Sequence, residues 1–248
     1  MHIERAIAPF TRMWRMPFLA ALLAVSGATS GSPPHGTTTL VYDLSRSGFA
    51  LAEMTDTLHT DALSYQLVSN AQGVGLVALL ARGQTLRRES RGAIGAEGLV
   101  PRSFIEQRGA NYRLSAEFDW PAREVVLTNA QGEVSREPLA AKAQDRLSMA
   151  YQIAFLRNRP PPTEFSVQVA DGRFLSDYTL RLVGTETIAT GFGEVKALHY
   201  TKVLSGNDTA FDLWLGIEHQ LLPVRVSYAD KDGARFEQSL RSIQPARL

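Results

Sequence analysis

The chain of 248 residues contains no cysteine. Disulfides, thiolate chemistry and cysteine-based metal sites are therefore excluded. The absence also removes the cysteine that carries the lipid of an exported lipoprotein, so we expect a soluble protein and not a lipid-anchored one. A chain of this length buries enough surface to hold a core without cross-links.

Recognisable catalytic machinery is missing as well. The sequence has no Gly-x-Ser-x-Gly elbow, no His-Glu-x-x-His pair and no phosphate-binding Gly-x-x-x-x-Gly-Lys loop. Beyond residue 28 the histidines are His35, His59, His199 and His219. No two of them have the spacing of metal ligands on one element, so we expect no catalytic residues, no metal and no cofactor. His199, on a predicted strand, is the one candidate general base, and hydrogen bonding in the core is its more common role.

No charge excess of one sign is present. The formal net charge is +1. Such a balance gives no global field that would gather nucleic acid, so no nucleic-acid partner is expected. Seven arginines between Arg82 and Arg113 alternate with three glutamates, a mixture that is typical of a solvated face. An anionic headgroup site is the alternative reading of this run.

No apolar run is long enough to span a bilayer. The longest, Pro17–Val25, is about half the length of a membrane-spanning helix. It follows Arg5, Arg12 and Arg15 and precedes a stretch of small residues. This combination predicts a secretory signal peptide, no membrane span, and a periplasmic or secreted location.

The expected organisation is simple. Residues 1–28 form the signal peptide, residues 29–38 a disordered tail, and residues 39–244 a single β-rich domain. We find no internal repeat, and the three prolines at 160–162 are too few for a flexible linker.

What the sequence has in abundance is two-residue alternation. In Asn111–Trp120, aromatic and aliphatic side chains alternate with polar ones, as in a half-buried strand. Leu40–Arg46, Phe165–Val169 and Leu222–Tyr228 read the same way, and Ser47-Gly48 is placed to turn a hairpin. About 11 to 12 strands with short turns predict a mainly β fold, a single curved antiparallel sheet or incomplete barrel.

One segment has helical spacing instead. Between Asp145 and Arg157 the apolar residues recur at steps of three and four. Asp145 is placed to cap the first turn, and prolines 160–162 prevent continuation. We expect one helix of about three turns, packed in the concavity of the sheet.

Aromatic residues are the remaining constellation. Most belong to an ordinary core. A sheet of this size must curl, however, and the resulting concavity can hold an apolar ligand. The candidate ligand-binding residues on the concave face are Tyr42, Tyr65, Tyr112, Phe118, Tyr151, Phe155, Tyr178 and Trp214.

Two segments resemble a known family. Gln144–Ser148 followed by Tyr151, and Trp214–Glu218 followed by Leu222–Val226, are similar to motifs of the exported bacterial family known as domain of unknown function 3108. The resemblance covers about residues 38–243 and implies an exported β-rich protein, without supplying an activity. Glu218 stands where the family pattern has aspartate. The family-signature residues are Asp145, Ser148, Trp214, Pro223 and Arg225.

Three functional hypotheses follow. The first is a non-catalytic module that binds a lipid or another apolar or amphiphilic envelope molecule. The second is a structural or adaptor protein with a filled core and an envelope protein as partner. The third and weakest is a hydrolase of envelope polymers that uses His199.

Overall fold

The computed structural model describes residues 34–75, 78, 85–156, 160–206, 208–229 and 232–244. Within this part of the chain a single sheet of 15 strands dominates. In chain order the strands are β1 (Gly36–Arg46), β2 (Phe49–Thr60), β3 (Ser64–Gly73), β4 (Thr85–Gly95), β5 (Gly98–Arg108), β6 (Tyr112–Asp119), β7 (Glu124–Thr128), β8 (Val134–Pro138), β9 (Gln144–Asp145), β10 (Glu164–Ala170), β11 (Leu175–Thr190), β12 (Gly193–Lys202), β13 (Phe211–Gly216), β14 (Pro223–Ala229) and β15 (Arg235–Gln244).

The sheet consists of two meanders that meet at the first strand. Strands β1 to β8 follow one another to one edge, and β10 to β15 return from the opposite edge until β15 pairs with β1. Neighbouring strands are antiparallel except for β9 and β10, which pair in parallel. Because hairpins join consecutive strands, most strands pair with the strand that precedes or follows them in the sequence. The alternating apolar and polar side chains then form the two faces of one continuous sheet.

The two edges of the sheet approach one another. The chain leaves β8 and reaches β9 through only five residues, 139–143. At the start of this connection the amide of Leu139 donates to the Arg123 carbonyl, and the next amide, Ala140, donates to Gln168 of β10. Strands β8 and β9 do not pair with each other, so the sheet is strongly curved and open. The predicted mainly β, curved, open sheet is confirmed.

The predicted helix is wrong. Residues 145–156 instead contain the end of β9 and two 3-10 turns, Ser148–Ala150 and Gln152–Phe155, and Arg157 lies outside the described residues. We call residues 139–156 the crossing segment, because it passes from one edge of the sheet to the other. Both turns lie in the core, and Ser148 and Gln152 are as buried as Phe155.

The burial of polar side chains explains why no helix forms. An amphipathic helix leaves its polar face to water, whereas residues 143–156 of the crossing segment are buried or half-buried throughout. Gln152 accepts a hydrogen bond from the Leu99 amide at 2.6 Å and donates one to the Glu97 carbonyl at 2.8 Å. Gln144 donates to the Leu99 carbonyl at 2.8 Å. Buried polar groups require such partners, and here the partners lie on β5 and the turn before it.

Two further expectations need adjustment. The sheet has 15 strands instead of 11 to 12, because short edge strands carry no alternation: β8 is exposed throughout and β9 has two residues. Strand β1 begins at Gly36, so residues 36–38 belong to the sheet and not to a tail. The predicted signal peptide, residues 1–28, lies outside the described residues. No helical segment that the structure describes is long and apolar enough to cross a membrane.

At Gly98 the backbone of β5 lies directly against Gln152 of the crossing segment. Its φ is +101°, and a Cβ there would lie 2.6 Å from the Gln152 amide nitrogen. We expect Gly98→Ala to lower the free energy of unfolding by about 2 kcal/mol, from backbone strain and displacement of Gln152. Gly132→Ala is the control, because Gly132 has a φ of +81° but nothing within 4 Å. Urea unfolding that shows equal losses for both variants would contradict a role for the Gln152 contact.

Candidate ligand-binding cavity

The concave side of the sheet encloses a cavity of about 290 Å³. Its lining comes from β2 to β4, from the crossing segment, from β10, β11, β13, β14 and β15, and from the connections that precede β11 and β13. Arg173 and Tyr228 on this lining are partly exposed, so the cavity communicates with solvent there. The volume is close to the lower limit of small-molecule sites and roughly twice that of a cavity that admits benzene.

One wall of the cavity carries a polar row. Asp56, Ser69, Arg88 and Glu106 are directly opposite one another on β2, β3, β4 and β5. Adjacent strands lie about 4.8 Å apart, so the row is a continuous line of polar side chains. Asp56, Ser69 and Glu106 are each at most 2% exposed. We call these four residues the polar row.

At one end of the row, three arginines surround a single carboxylate. Glu106 is within 2.6 Å of Arg88, 2.5 Å of Arg108 and 3.5 Å of Arg146. Burial alone would raise the pKa of Glu106, but the guanidinium groups outweigh it and lower that pKa from 4.5 to about 2. One negative charge therefore faces three positive ones, and with the Asp56 carboxylate at the other end of the row the arginines still exceed the carboxylates by one.

The other end of the row is a buried carboxylate with a tyrosine pair. Tyr151, from the crossing segment, donates its hydroxyl proton to Asp56 Oδ2 at 2.6 Å. Tyr42 lies behind it, with its hydroxyl 3.5 Å from that of Tyr151 and 2.9 Å from the Pro223 carbonyl. Asp56 Oδ1 is buried and has no hydrogen-bond partner among the described residues. Burial raises the pKa of Asp56, opposed by the nearby Ser69 hydroxyl, by the hydrogen bond from Tyr151 and by the charge of Arg88.

The aromatic residues singled out from the sequence do not form one cluster. Tyr151 and Tyr178 line the cavity. Tyr42 and Phe155 are fully buried in the core. The sequence pattern thus brings two of these residues to the cavity and two directly into the surrounding core.

The other four candidates lie elsewhere. Tyr65 is buried and shares a hydrogen bond with Ser90 at 2.9 Å. Tyr112 is partly exposed under the Arg108 guanidinium, 4.8 Å from its ring centre. Phe118 lines a separate surface groove near Trp120, and Trp214 is away from the cavity.

Two of the family-signature residues fix the crossing segment. Asp145 Oδ1 accepts hydrogen bonds from the amides of Leu147 and Ser148, both at 2.8 Å, while Oδ2 accepts one from the Ser90 hydroxyl. In the opposite direction, the Ser148 hydroxyl oxygen accepts a hydrogen bond from the Asp145 amide at 3.1 Å. Asp145 therefore fixes the backbone just before the first 3-10 turn, but the N-cap of that turn is Leu147, without a side-chain capping bond, so the predicted helix cap is wrong.

The remaining signature residues surround the turn between β13 and β14. Trp214 and Arg225 are register partners, and the Arg225 guanidinium lies 5.8 Å from the Trp214 ring centre. Arg225 also donates a hydrogen bond to the Ala189 carbonyl of β11. The Pro223 carbonyl accepts a hydrogen bond from the Tyr42 hydroxyl, and Pro223 also lines the cavity. Glu218 is in the short 3-10 turn Ile217–His219, outside these contacts.

His199 has partners that the sequence does not indicate. Its Nδ1 is 2.7 Å from Glu186 and its Nε2 is 3.2 Å from Asp212. One face of the ring stacks on Trp214, with the ring centres 4.2 Å apart. Both ring nitrogens face carboxylates, so neither is available to a substrate. In the described part of the chain no group of three His, Asp or Glu side chains is arranged to hold a metal ion.

Sequence reasoning missed the polar row. Arg88 and Glu106 belong to the arginine-rich run interpreted as a solvated face, and for these two residues that interpretation is wrong, since Glu106 is fully buried and the Arg88 side chain is 17% exposed. A usable signal was present. Alternation puts Glu106 on the same face of β5 as Phe104, which is buried.

Comparison with known proteins gives a similar fold and a family. The solved β-barrel-like protein of domain of unknown function 1849 from Brucella abortus is similar to this chain, with a TM-score of 0.54 at 9% identity, over 87% of this chain and 100% of that one. This likeness concerns the fold alone. Residues 41–240 match the family described as protein of unknown function (DUF3108). The chain belongs to that family, as the resemblance in its sequence predicted.

Two other solved structures are more distant. A protein of Parabacteroides distasonis, provisionally described as a lipoprotein, aligns with a TM-score of 0.40 at 12% identity, over 86% of this chain and 97% of that one. A Bacteroides fragilis protein with a YmcC-like fold, provisionally described as exported, aligns with a TM-score of 0.38 at 11% identity, over 86% and 97% of the two chains. None of the curated proteins compared with the chain matches it.

Proposed function

We propose that this chain is an exported, non-catalytic binding protein that takes a small amphiphilic envelope molecule into its concave cavity. The observation that carries the proposal is the cavity itself, which combines an apolar lining with a polar row. Residues 1–28 would direct export, and residues 36–244 would form one binding domain. The N-terminal arginines and the short apolar run support the export part of the proposal.

The lining divides by chemistry. Met54, Leu147, Met149, Val169 and Phe211 contribute apolar surface. The polar row and the arginines at its end supply groups that would orient a ligand. Polar and apolar side chains contribute about equally to the lining, a more polar composition than that of a typical apolar ligand site, and one that suits an amphiphile. A volume near 290 Å³ suits a ligand of about 12 non-hydrogen atoms, or the end of a longer chain.

Filling the cavity should abolish binding. Ala210 lines the cavity, so Ala210→Trp would occupy its volume. We expect calorimetric titration with decanoate to show binding to the parent chain and at least a tenfold weaker affinity for this variant. Ala122→Trp is the matched control, since Ala122 is exposed in the turn between β6 and β7. If the parent binds neither decanoate nor 1-decanol, the proposed function is wrong.

A further inference from the structure

The polar groups of the cavity specify the head of the ligand. This inference rests on the proposed function and concerns the chemistry of the molecule that is bound. We propose that the ligand is an amphiphile whose polar end carries an anionic group and a neighbouring hydroxyl, with the anion on Arg146 and the hydroxyl on Asp56.

The anion follows from the count of charges. Arg88, Arg108 and Arg146 share the single carboxylate of Glu106, and Arg146 has the longest contact, 3.5 Å. Arg146 and Arg88 both line the cavity, whereas Glu106 lies behind them in the wall. Arg173 and Asp171 pair at 2.6 Å and cancel, although Asp171 also acts on Arg146. Asp56, which Arg88 influences, offsets one more arginine, so the excess is one positive charge. A carboxylate or phosphate that enters the cavity would supply the missing negative charge in a desolvated place, where guanidinium pairing is strong.

The hydroxyl follows from the unsatisfied oxygen of Asp56. Buried polar atoms nearly always have a hydrogen-bond partner, and an exception requires an explanation. Asp56 Oδ1 has none among the described residues, although Asp56 is 2% exposed and belongs to the cavity lining. A hydroxyl donates to a carboxylate and accepts from a carboxylic acid, so it satisfies Asp56 in either protonation state. A second anionic group would be repelled by the carboxylate.

The polar row sets the two groups close together. Asp56 and Arg88 are separated only by Ser69 on the strand between them, and the charge of Arg88 acts on Asp56. Arg146 lies beyond Arg88, at the Glu106 end. Asp56 and Arg146 both line the same cavity of about 290 Å³, so a ligand that fits this volume reaches both with groups near one end of it. The hydroxyl therefore belongs within a few bonds of the anion.

The decisive measurement compares two probes on the parent chain. Calorimetric titration should show that 3-hydroxydecanoate binds about tenfold more tightly than decanoate. The ratio needs no variant, so it does not depend on whether a substitution folds. Equal affinities for the two acids would overturn the inference while leaving the proposed function intact, whereas no binding of either acid or of 1-decanol would overturn both.

Variants then assign the groups. Asp56→Val should reduce the ratio of the two affinities to about one, and Asp56→Asn, which keeps a hydrogen-bonding side chain, should retain part of it. Arg146→Gln should weaken both acids and leave 1-decanol unchanged. Ser135→Ala is the control, because Ser135 is exposed on β8 and is not part of the cavity lining. A structural role of Asp56 alone would weaken the two acids equally and so contradict the assignment.

A second arm of the same experiment tests whether the anionic group is a carboxylate or a phosphate. Decyl phosphate and decanoyl lysophosphatidylglycerol repeat the comparison with a phosphate in place of the carboxylate. A larger hydroxyl preference in this pair supports a phosphoglycerol head, and a larger preference in the acid pair supports a hydroxy acid. The absence of a hydroxyl preference in both pairs contradicts the proposal.

Discussion

Replacing Glu106 by glutamine is expected to lower the free energy of unfolding by about 3 kcal/mol at neutral pH. Glu106 is fully buried, and its carboxylate is the shared partner of Arg88, Arg108 and Arg146. A neutral amide leaves three guanidinium groups facing one another, two of them on adjacent strands. The loss therefore combines a removed attraction with an uncompensated repulsion, and denaturant unfolding of both proteins measures it.

The loss should depend on pH in one direction. The folded pKa of Glu106, about 2, lies below the ordinary 4.5, so folding favours the ionised form. This contribution is fully present above the unfolded pKa and disappears as the pH falls through the folded one. The difference between parent and Glu106→Gln should hence narrow as the pH is lowered from 4.5 toward 2.

A second carboxylate provides the comparison for Glu106. Glu124 pairs with Arg136 at 2.6 Å, but their side chains are 37% and 63% exposed. Exposed pairs contribute about 0 to 1 kcal/mol, so Glu124→Gln should change stability little. If the two glutamine variants lose similar amounts, the arginine cluster does not stabilise the sheet through Glu106.

The strands were predictable where one face is buried and the other is not. Strand β6 has the faces that the sequence predicts, with Leu114, Ala116 and Phe118 buried between more exposed neighbours. The Ser47-Gly48 turn is where it was expected, with positive φ at both residues. Local alternation is sufficient for such features because each strand pairs with its sequence neighbour. Strand β14 shows the limit, since Tyr228 at its end is 37% exposed.

The site was not predictable in the same way. Asp56, Ser69, Arg88 and Glu106 lie 13, 19 and 18 positions apart, and only the register of four strands makes them neighbours. Each of those registers depends on the length of a connection, and the β4–β5 register depends also on a bulge between Arg91 and Gly92. A single sequence does not show how the registers of four successive strands combine to align these residues. Tyr151 reaches Asp56 from 95 positions away, through the crossing segment.

The crossing segment failed prediction for a different reason. Its apolar spacing is truly three and four, but a helix is favoured by that spacing only when the polar residues between reach water. Here Ser148 and Gln152 are buried and bonded to backbone atoms. Tertiary hydrogen bonds therefore decided the local geometry, and the same bonds present Arg146 and Tyr151 to the cavity. The departure from the predicted helix and the formation of the site have one cause.

Removing the Phe155 side chain tests whether the crossing segment holds the two meanders together. Phe155 is fully buried at the end of the second 3-10 turn, within the main apolar cluster. We expect Phe155→Ala to lower the free energy of unfolding by about 4 kcal/mol, because a large cavity would remain where the sheet cannot close. Phe174→Ala is the matched control: Phe174 is 65% exposed in the turn between β10 and β11, so its loss should be within about 0.5 kcal/mol. A loss below about 1 kcal/mol for Phe155→Ala would mean that β15 pairing with β1 suffices to join the meanders. The sheet alone would then determine the shape of the cavity. The polar groups of the crossing segment would not be held next to the polar row.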